Sequence, residues 1–108
     1  MITMENLFEI ISYSGSAKAM AYEAMAEASQ NDFEKAQSLL KEADATLLLA
    51  HQIQNELIQS IKEEEARDIS LLLIHAQDHM MMAMELRNLA EMMLGIYQKI
   101  QGLEEKLS

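Results

Sequence analysis

The sequence predicts an all-α protein, an antiparallel three-helix bundle. Apolar residues recur at steps of three and four along most of the chain, which is the period of a helix packed on one side. The 108 residues include no proline and only three glycines, so few positions interrupt a helix. Two polar stretches, SQNDFEKA and KEEEARD, divide the pattern into three segments. Three helices with short connections pack antiparallel, here as one domain spanning residues 1–108.

The first segment carries an apolar stripe rich in alanine, which lets a neighbouring helix approach closely. The stripe comprises Leu7, Ile10, Ile11, Ala17, Ala21, Ala24, Met25 and Ala28. Gly15 lies within this segment, and we expect the helix to continue through it. The stretch SQNDFEKA then predicts a boundary. Asn31 can cap the second helix, and Glu34 follows at the spacing of a capping box.

The second segment keeps its apolar stripe for about eight turns. Its members are Phe33, Ala36, Leu40, Ala43, Leu47, Ala50, Gln54, Leu57, Ile58 and Ile61. The polar stretch at 62–68 breaks the stripe and is either a loop or a frayed helix end. Asp68 or Ser70 can cap the third helix, which we expect to run to about Glu105.

The third segment carries two apolar stripes side by side. The main stripe is Leu72, His79, Ala83, Leu86, Ala90, Met93 and Tyr97. The second stripe is Leu71, Ile74, Asp78, Met81, Leu89, Met92 and Ile96. A three-helix bundle needs only one of them, so the other is an exposed apolar surface unless another chain covers it. The sequence therefore predicts an oligomer with the third helix at its centre.

Composition and charge exclude several classes of function. The net charge is −10, so the chain cannot neutralise the phosphates of a nucleic acid and is repelled by an anionic membrane surface. The same charge steers a basic protein partner toward the molecule. The sequence MITMENLFEI lacks the basic start and apolar region of a signal peptide, and no run has the length of a membrane span. With no cysteine, the chain is expected to be cytoplasmic.

The stretch LLLIHAQDHMMMAM, residues 71–84, places ionisable groups in a strongly apolar setting. His75 and His79 are one helical turn apart, a spacing that suits metal chelation, core hydrogen bonding or a rim position. Asp78 falls in the second stripe, and a carboxylate buried there must be paired, protonated or bound to a metal. In a cyclic oligomer its copies converge, and a hard cation such as Mg²⁺ neutralises them. His75 lies about 60° around the helix from Asp78, at a groove edge, where a nucleophilic role is open.

The segments GSAKAMAYEA, DFEKA, AHQIQ and SLLLIHAQDHMM together resemble the enzyme IIA component of the lactose/cellobiose family of the bacterial sugar phosphotransferase system. The resemblance covers roughly residues 7–103, and HAQDH is its most specific element. It implies a three-helix bundle that assembles as a homotrimer. It also implies a phosphocarrier that accepts a phosphoryl group from the protein HPr and passes it to the cysteine of a IIB component.

The resemblance also implies a role for each residue of the motif. His75 is the phosphorylated nucleophile, through Nε2, and Gln77 and His79 support the site. Asp78 binds a metal shared on the trimer axis, Mg²⁺ or another divalent cation. His51 also falls in a matching segment, and without a functional role it is a core or rim histidine with a satisfied hydrogen bond.

Two departures from the family pattern lie outside the motif. Asn31 stands where the family commonly has glycine, and asparagine also tolerates the left-handed conformation. The stretch SIKEEEARDIS lacks the glycine usual in the second loop. Within the family, HAQDH resembles the cellobiose/chitobiose branch, whereas HGQDH is more typical of lactose, so through Ala76 the resemblance implies a cellobiose- or chitobiose-like sugar. Two alternatives remain open: a non-catalytic helical adaptor with a structural metal site, and a small metal sensor using His75 and His79.

Overall fold

A computed structural model describes residues 4–60 and 71–108 of the chain. It contains three helices, α1 at Met4–Ser29, α2 at Phe33–Ser60 and α3 at Leu71–Leu107. They form a rod of 65 × 17 × 17 Å in which α1 packs extensively on both other helices, while α2 and α3 contact each other less. The predicted all-α bundle is confirmed. The stretch at 62–68 and the expected caps Asp68 and Ser70 lie outside the described residues.

The connection between α1 and α2 is a tight turn built around a left-handed residue. Asn31 has φ of 65°, and its N–H donates to the carbonyl of Ala28 at 3.0 Å. The N–H of Asp32 donates to the carbonyl of Glu27, also at 3.0 Å. This pair of bonds is a Schellman motif, which satisfies the last carbonyls of α1. Asparagine tolerates this conformation better than most side chains do, as the sequence predicted.

The cap of α2 is Asp32, and the prediction of Asn31 as the cap was wrong. Asp32 Oδ1 accepts a hydrogen bond from the backbone N–H of Lys35 at 3.2 Å, which satisfies a donor of the first turn. Asn31 cannot serve here because its left-handed backbone already ends α1. Of these two adjacent polar residues, Asn31 therefore terminates α1 and Asp32 caps the N-terminus of α2.

The core runs along the bundle and is built mainly from small side chains. Of the eighteen buried apolar residues among those described, ten are alanines, so the helices can approach closely. Larger side chains are concentrated where the start of α1 and the end of α2 meet the start of α3. That cluster contains Leu7, Ile10, Ala50, Leu57, Leu73, Ala76 and Met80. It lies directly beneath the HAQDH motif and gives this part of α3 a firm base.

The buried stripe of α3 differs from the predicted main stripe. Ala83 and Ala90 are buried as expected, but Leu72, His79, Leu86, Met93 and Tyr97 are only half-buried. The residues that complete the buried stripe are Leu73, Ala76, Met80 and Leu94. The core side of α3 is thus rotated from the predicted one. Small residues turn inward, and several large ones lie at the edges of the bundle.

The second stripe of α3 is exposed, as predicted. Leu71 is 81% exposed, Met81 60% and Met92 66%, and the other apolar members are exposed as well. This single chain therefore presents a long apolar surface along its longest helix. No helix in the described ranges is long and apolar enough to cross a membrane.

Candidate functional site

The HAQDH motif occupies the second turn of α3, in a stretch of the helix that contains no proline or glycine. His75 and Asp78 are exposed, and Gln77 and His79 are half-buried. Ala76, between the two histidines, is completely buried and packs in the core cluster beneath them. A substituent larger than the alanine methyl would meet that core. The motif is therefore anchored through Ala76 and presents its polar residues outward.

The two histidine rings contact each other directly. Their Nε2 atoms lie 3.1 Å apart, and the ring centroids are separated by 4.4 Å at an interplanar angle of 84°. A hydrogen bond between two ring nitrogens requires that one nitrogen carries the proton and the other a lone pair. If Nε2 of His79 carries the proton of this hydrogen bond, Nε2 of His75 keeps its lone pair. In that tautomer, Nε2 of His75 can act as a nucleophile.

The His75 side chain borders a shallow apolar groove of about 450 Å³. The groove is lined by Leu71, Leu72, Ile74, His75 and Asp78. His75 is exposed and can be reached from solvent, while its role as the nucleophile stays a prediction.

Asp78 stands among exposed apolar side chains of the second stripe. Its carboxylate offers at most two oxygen ligands, whereas Mg²⁺ takes six at near-octahedral geometry. Among the described residues, no group of three or more histidine, cysteine, aspartate or glutamate side chains lies close enough to hold a metal ion. The donor type suits a hard cation, but the Asp78 side chain of one chain cannot complete the coordination of such an ion.

Gln77 and His51 lie apart from the histidine pair. Gln77 is two residues from His75, and side chains at that spacing point to different sides of a helix. The supporting role of Gln77 stays a prediction. His51 borders a second groove, between α2 and α3, with Leu48 and Met84 among its neighbours. The hydrogen bond expected for its ring is not made by any residue in 4–60 or 71–108.

Arg87 joins α3 to α2 beside the His51 groove, an interaction that the sequence analysis missed. Its guanidinium binds the Asp44 carboxylate in a bidentate manner, with Nε–Oδ1 at 2.6 Å and Nη2–Oδ2 at 3.0 Å, and also contacts Glu91. Burial disfavours the charge, but hydrogen bonds to Asp44 and Glu91 outweigh it and raise the pKa of Arg87. The Glu91 contact follows the four-residue helical spacing, whereas the Asp44 partner is 43 residues away.

Comparison with known proteins decides the family. The family model described as the lactose/cellobiose-specific IIA subunit of the PTS system matches residues 5–98. The chain belongs to this family. The matched range includes the whole HAQDH motif and all but the last turns of α3. Members of this IIA family are components of the sugar phosphotransferase system, and the resemblance recognised from the sequence is confirmed.

Individual relatives of this IIA family cover most of the chain. The lichenan-specific phosphotransferase enzyme IIA component of Bacillus subtilis is 39% identical over 94 residues, which is 87% of this chain and 86% of that protein. The crystal structure of the cellobiose-specific enzyme IIA from Bacillus anthracis is 38% identical, with a TM-score of 0.86, covering 94% of this chain and 95% of that one. The IIA(chitobiose) subunit of Escherichia coli, solved in complex with HPr, is 33% identical, with a TM-score of 0.82, covering 90% and 94%.

Proposed function

We propose that this IIA subunit is a phosphocarrier. His75 accepts a phosphoryl group from HPr and passes it to the cysteine of a IIB component, which drives uptake and phosphorylation of a disaccharide. The observation that carries the proposal is the exposed His75 imidazole, hydrogen-bonded through Nε2 to His79 at 3.1 Å, within a motif that lies inside the family match. We place this relay in the cytoplasm, where the charge and composition of the chain suit it.

The transfer uses the lone pair of His75 Nε2. In the reactive tautomer, His79 Nε2–H donates to that lone pair, and the proton of His75 is on Nδ1. As HPr docks, His75 Nε2 attacks phosphorus in line, the bond between phosphorus and HPr breaks, and a phosphorus–nitrogen bond forms. His79 Nε2–H, released from the ring nitrogen, then donates to a phosphoryl oxygen. Such transfers depend on positioning and charge stabilisation.

The second half of the relay reverses these roles. The thiolate of the IIB cysteine attacks phosphorus, the bond to His75 Nε2 breaks, and the lone pair returns to the ring. The hydrogen bond from His79 then re-forms. Between the two steps, the apolar groove of Leu71, Leu72 and Ile74 limits attack by water on the phosphohistidine.

Assembly as a homotrimer is part of the proposal. Six apolar residues of the second stripe are exposed in the single chain. Full burial of one such side chain is worth about 1.5–3 kcal/mol, so association along this surface is strongly favoured. Asp78 lies within the same stripe, and the copies of its carboxylate meet at the axis. There, Asp78 would hold a Mg²⁺ ion or another divalent cation, whose charge would offset their mutual repulsion.

HPr as the donor is supported by the Escherichia coli relative, whose structure was determined in complex with HPr. The negative charge of this chain, −10, also favours a partner with a basic docking surface. Exposed Met82 lies seven residues after His75 on the same side of α3, and flexible methionine side chains adapt to two different partners in turn. The same surface can therefore receive HPr and IIB successively.

The transported sugar is proposed to be cellobiose- or chitobiose-like. Ala76 of the HAQDH motif carries this assignment, and its buried methyl group is in contact with the core. The sugar itself is recognised by the membrane component, so this chain passes on the phosphoryl group without contacting the sugar. Uptake assays with the cognate membrane component test the assignment directly.

The alternative is a non-catalytic helical adaptor in which the motif only holds a structural metal. A phosphorylation assay separates the two. The purified chain is incubated with phosphoenolpyruvate, enzyme I and HPr, and we expect one acid-labile phosphate per chain, located on His75 by mass spectrometry. Omitting HPr should abolish labelling. A chain that takes up no phosphate from phosphorylated HPr would favour the adaptor.

A further inference from the structure

The two Nε2 atoms of the histidine pair have the spacing of two ligands on one metal ion. They lie 3.1 Å apart, whereas the ring centroids are 4.4 Å apart, so the nitrogen-bearing corners of the two rings turn toward each other. Zinc binds imidazole nitrogen at about 2.0–2.1 Å, so the angle between the two nitrogens at an ion held by both would be about 98°. This angle is only about 11° smaller than the tetrahedral angle that zinc prefers.

The core of the bundle fixes the positions of both histidines. His75 is followed directly by Ala76 and His79 by Met80, and these two residues are buried in the cluster where all three helices meet. His75 is nevertheless exposed and His79 half-buried, so both rings can be reached by an ion. Two ligands on one firmly packed turn act together, because the second nitrogen binds intramolecularly once the first has bound.

The donor atoms distinguish the histidine pair from Asp78. Imidazole nitrogens suit transition-metal cations such as Zn²⁺, whereas a carboxylate suits Mg²⁺. Within residues 4–60 and 71–108, no third histidine, cysteine, aspartate or glutamate side chain lies close enough to add a ligand. Water therefore completes the coordination of an ion held by the pair, and such an open site exchanges its ion readily. The net charge of −10 attracts cations to the surface of the chain.

We propose that His75 and His79 form a zinc site, separate from Asp78, and that a Zn²⁺ ion bound there blocks phosphoryl transfer. The block rests on the proposed function, since the ion occupies the Nε2 lone pair with which His75 attacks phosphorus. For His79 to bind the same ion, its ring proton moves from Nε2 to Nδ1 by exchange with water, and both rings stay neutral. A phosphoryl group on His75 in turn removes that ligand, so zinc and phosphate exclude each other.

Calorimetric titration with Zn²⁺, in a buffer that contains excess Mg²⁺, tests the site. We expect one Zn²⁺ ion per chain. His75→Ala and His79→Ala should each raise the dissociation constant about tenfold or more, because each leaves a single imidazole. Asp78→Leu should keep the site, and so should His51→Ala, which removes the histidine of the separate groove. Absence of binding by the original chain, equal affinity in all four variants, or a loss confined to Asp78→Leu overturns the zinc site.

Transfer from purified phosphorylated HPr tests the block. With free Zn²⁺ at ten times its dissociation constant, single-turnover phosphorylation of the original chain should slow about tenfold, since only about a tenth of the sites stay free. The zinc chelator TPEN, which leaves Mg²⁺ in place, should restore the rate. The slower His79→Ala protein should transfer at the same rate with and without zinc, which controls for an effect of zinc on HPr.

The outcomes separate the block from the phosphocarrier on which it rests. Unchanged transfer by the original chain in zinc, or equal slowing of the original chain and His79→Ala, overturns the block. A chain that accepts no phosphate even without zinc overturns the phosphocarrier, while the calorimetric titration still decides whether the pair binds Zn²⁺.

Discussion

His75 and His79 form a hydrogen-bonded pair, with their Nε2 atoms 3.1 Å apart and their rings nearly perpendicular. A single proton shared between these two atoms determines which ring presents a lone pair. The nucleophile of the proposed relay is thus controlled by a neighbour one helical turn away on the same element. Since Ala76 anchors this turn in the core, the pair is positioned by α3 itself and does not depend on a loop.

Replacing His75 by alanine should abolish phosphoryl acceptance, because no other group at the groove presents an imidazole lone pair in the same position. The side chain is exposed, so helix content by circular dichroism should not change. The matched control is His51→Ala, which removes a histidine from the separate groove between α2 and α3. The control should accept phosphate normally. Phosphate uptake by the His75→Ala protein would show that the nucleophile is misassigned.

Replacing His79 by alanine should slow phosphorylation without preventing it. The variant keeps the nucleophile but loses the N–H that fixes the tautomer and then binds a phosphoryl oxygen. Loss of one such donor costs on the order of a hundredfold in rate. Stopped-flow transfer from phosphorylated HPr measures the effect, with His51→Ala, in the separate groove between α2 and α3, as the control. A rate equal to that of the original chain would exclude contact between His79 and the transferred group.

Replacing Ser14 by alanine should leave stability unchanged or raise it by up to about 1 kcal/mol. Ser14 is 1% exposed, and its hydroxyl oxygen has no hydrogen-bond partner within the part of the chain that the structure describes. Removing an unsatisfied buried hydroxyl removes its desolvation cost. Urea unfolding measures the change, and exposed Ser16→Ala on the same helix is the control. A loss of more than about 1 kcal/mol would mean that the hydroxyl has a partner after all.

Replacing Arg87 by methionine should destabilise the bundle by about 1 kcal/mol, because two partly exposed carboxylates lose their shared cation. A basic group whose pKa is raised on folding stabilises the folded state at every pH below its ordinary pKa. This stabilisation is lost only as the pH rises through the raised pKa of the folded state. The pKa of Arg87 is raised, so the destabilisation should be the same at about pH 7 and pH 9. Urea unfolding at both pH values, with Lys41→Met as control, checks this. A marked difference between the two would contradict the assignment.

The periodicity of the sequence predicted α1 and α2 well because each carries one apolar stripe. In α3 it did not identify the core side, since the helix is apolar over most of its circumference. Ala76 and Met80 pack inward there, while the larger Leu71 and Met81 remain outside. A prediction of the buried side from hydrophobic periodicity alone gives large apolar residues more weight than alanine. The close approach of helices through alanines therefore has to be seen in three dimensions.

Two further differences between prediction and structure have separate causes, one a contact between distant residues and the other a local turn. The pair of Arg87 and Asp44 spans 43 residues, and no local spacing indicates it. The wrong prediction of Asn31 as the cap of α2 has a local cause. Asn31 and Asp32 are both good capping residues, and only the left-handed conformation of Asn31 decides between them. The histidine pair, by contrast, was predictable because a four-residue spacing on a helix places two side chains side by side.

Replacing Asp78 by leucine should remove the metal without weakening the trimer. The substitution changes every copy at once, so it removes the whole cluster of like charges at the axis and leaves no carboxylate unpaired. Replacing a buried charge cluster entirely by apolar groups is often neutral or stabilising. The variant should therefore lose its metal by elemental analysis and remain trimeric by light scattering, with a trimer insensitive to EDTA.

The unmodified chain should behave in the opposite way, since EDTA leaves its carboxylates facing each other without a cation. Its trimer should dissociate more readily at neutral pH in chelator than in Mg²⁺. Met81→Leu, an apolar exchange on the same stripe, should keep this sensitivity and serves as the control. Dissociation of the Asp78→Leu protein into monomers would show that Asp78 holds the interface through another contact, such as an ion pair. Retention of metal by that variant would place the ion elsewhere. The first candidates for its ligands are the Nε2 atoms of His75 and His79, because they lie close enough together to bind the same ion.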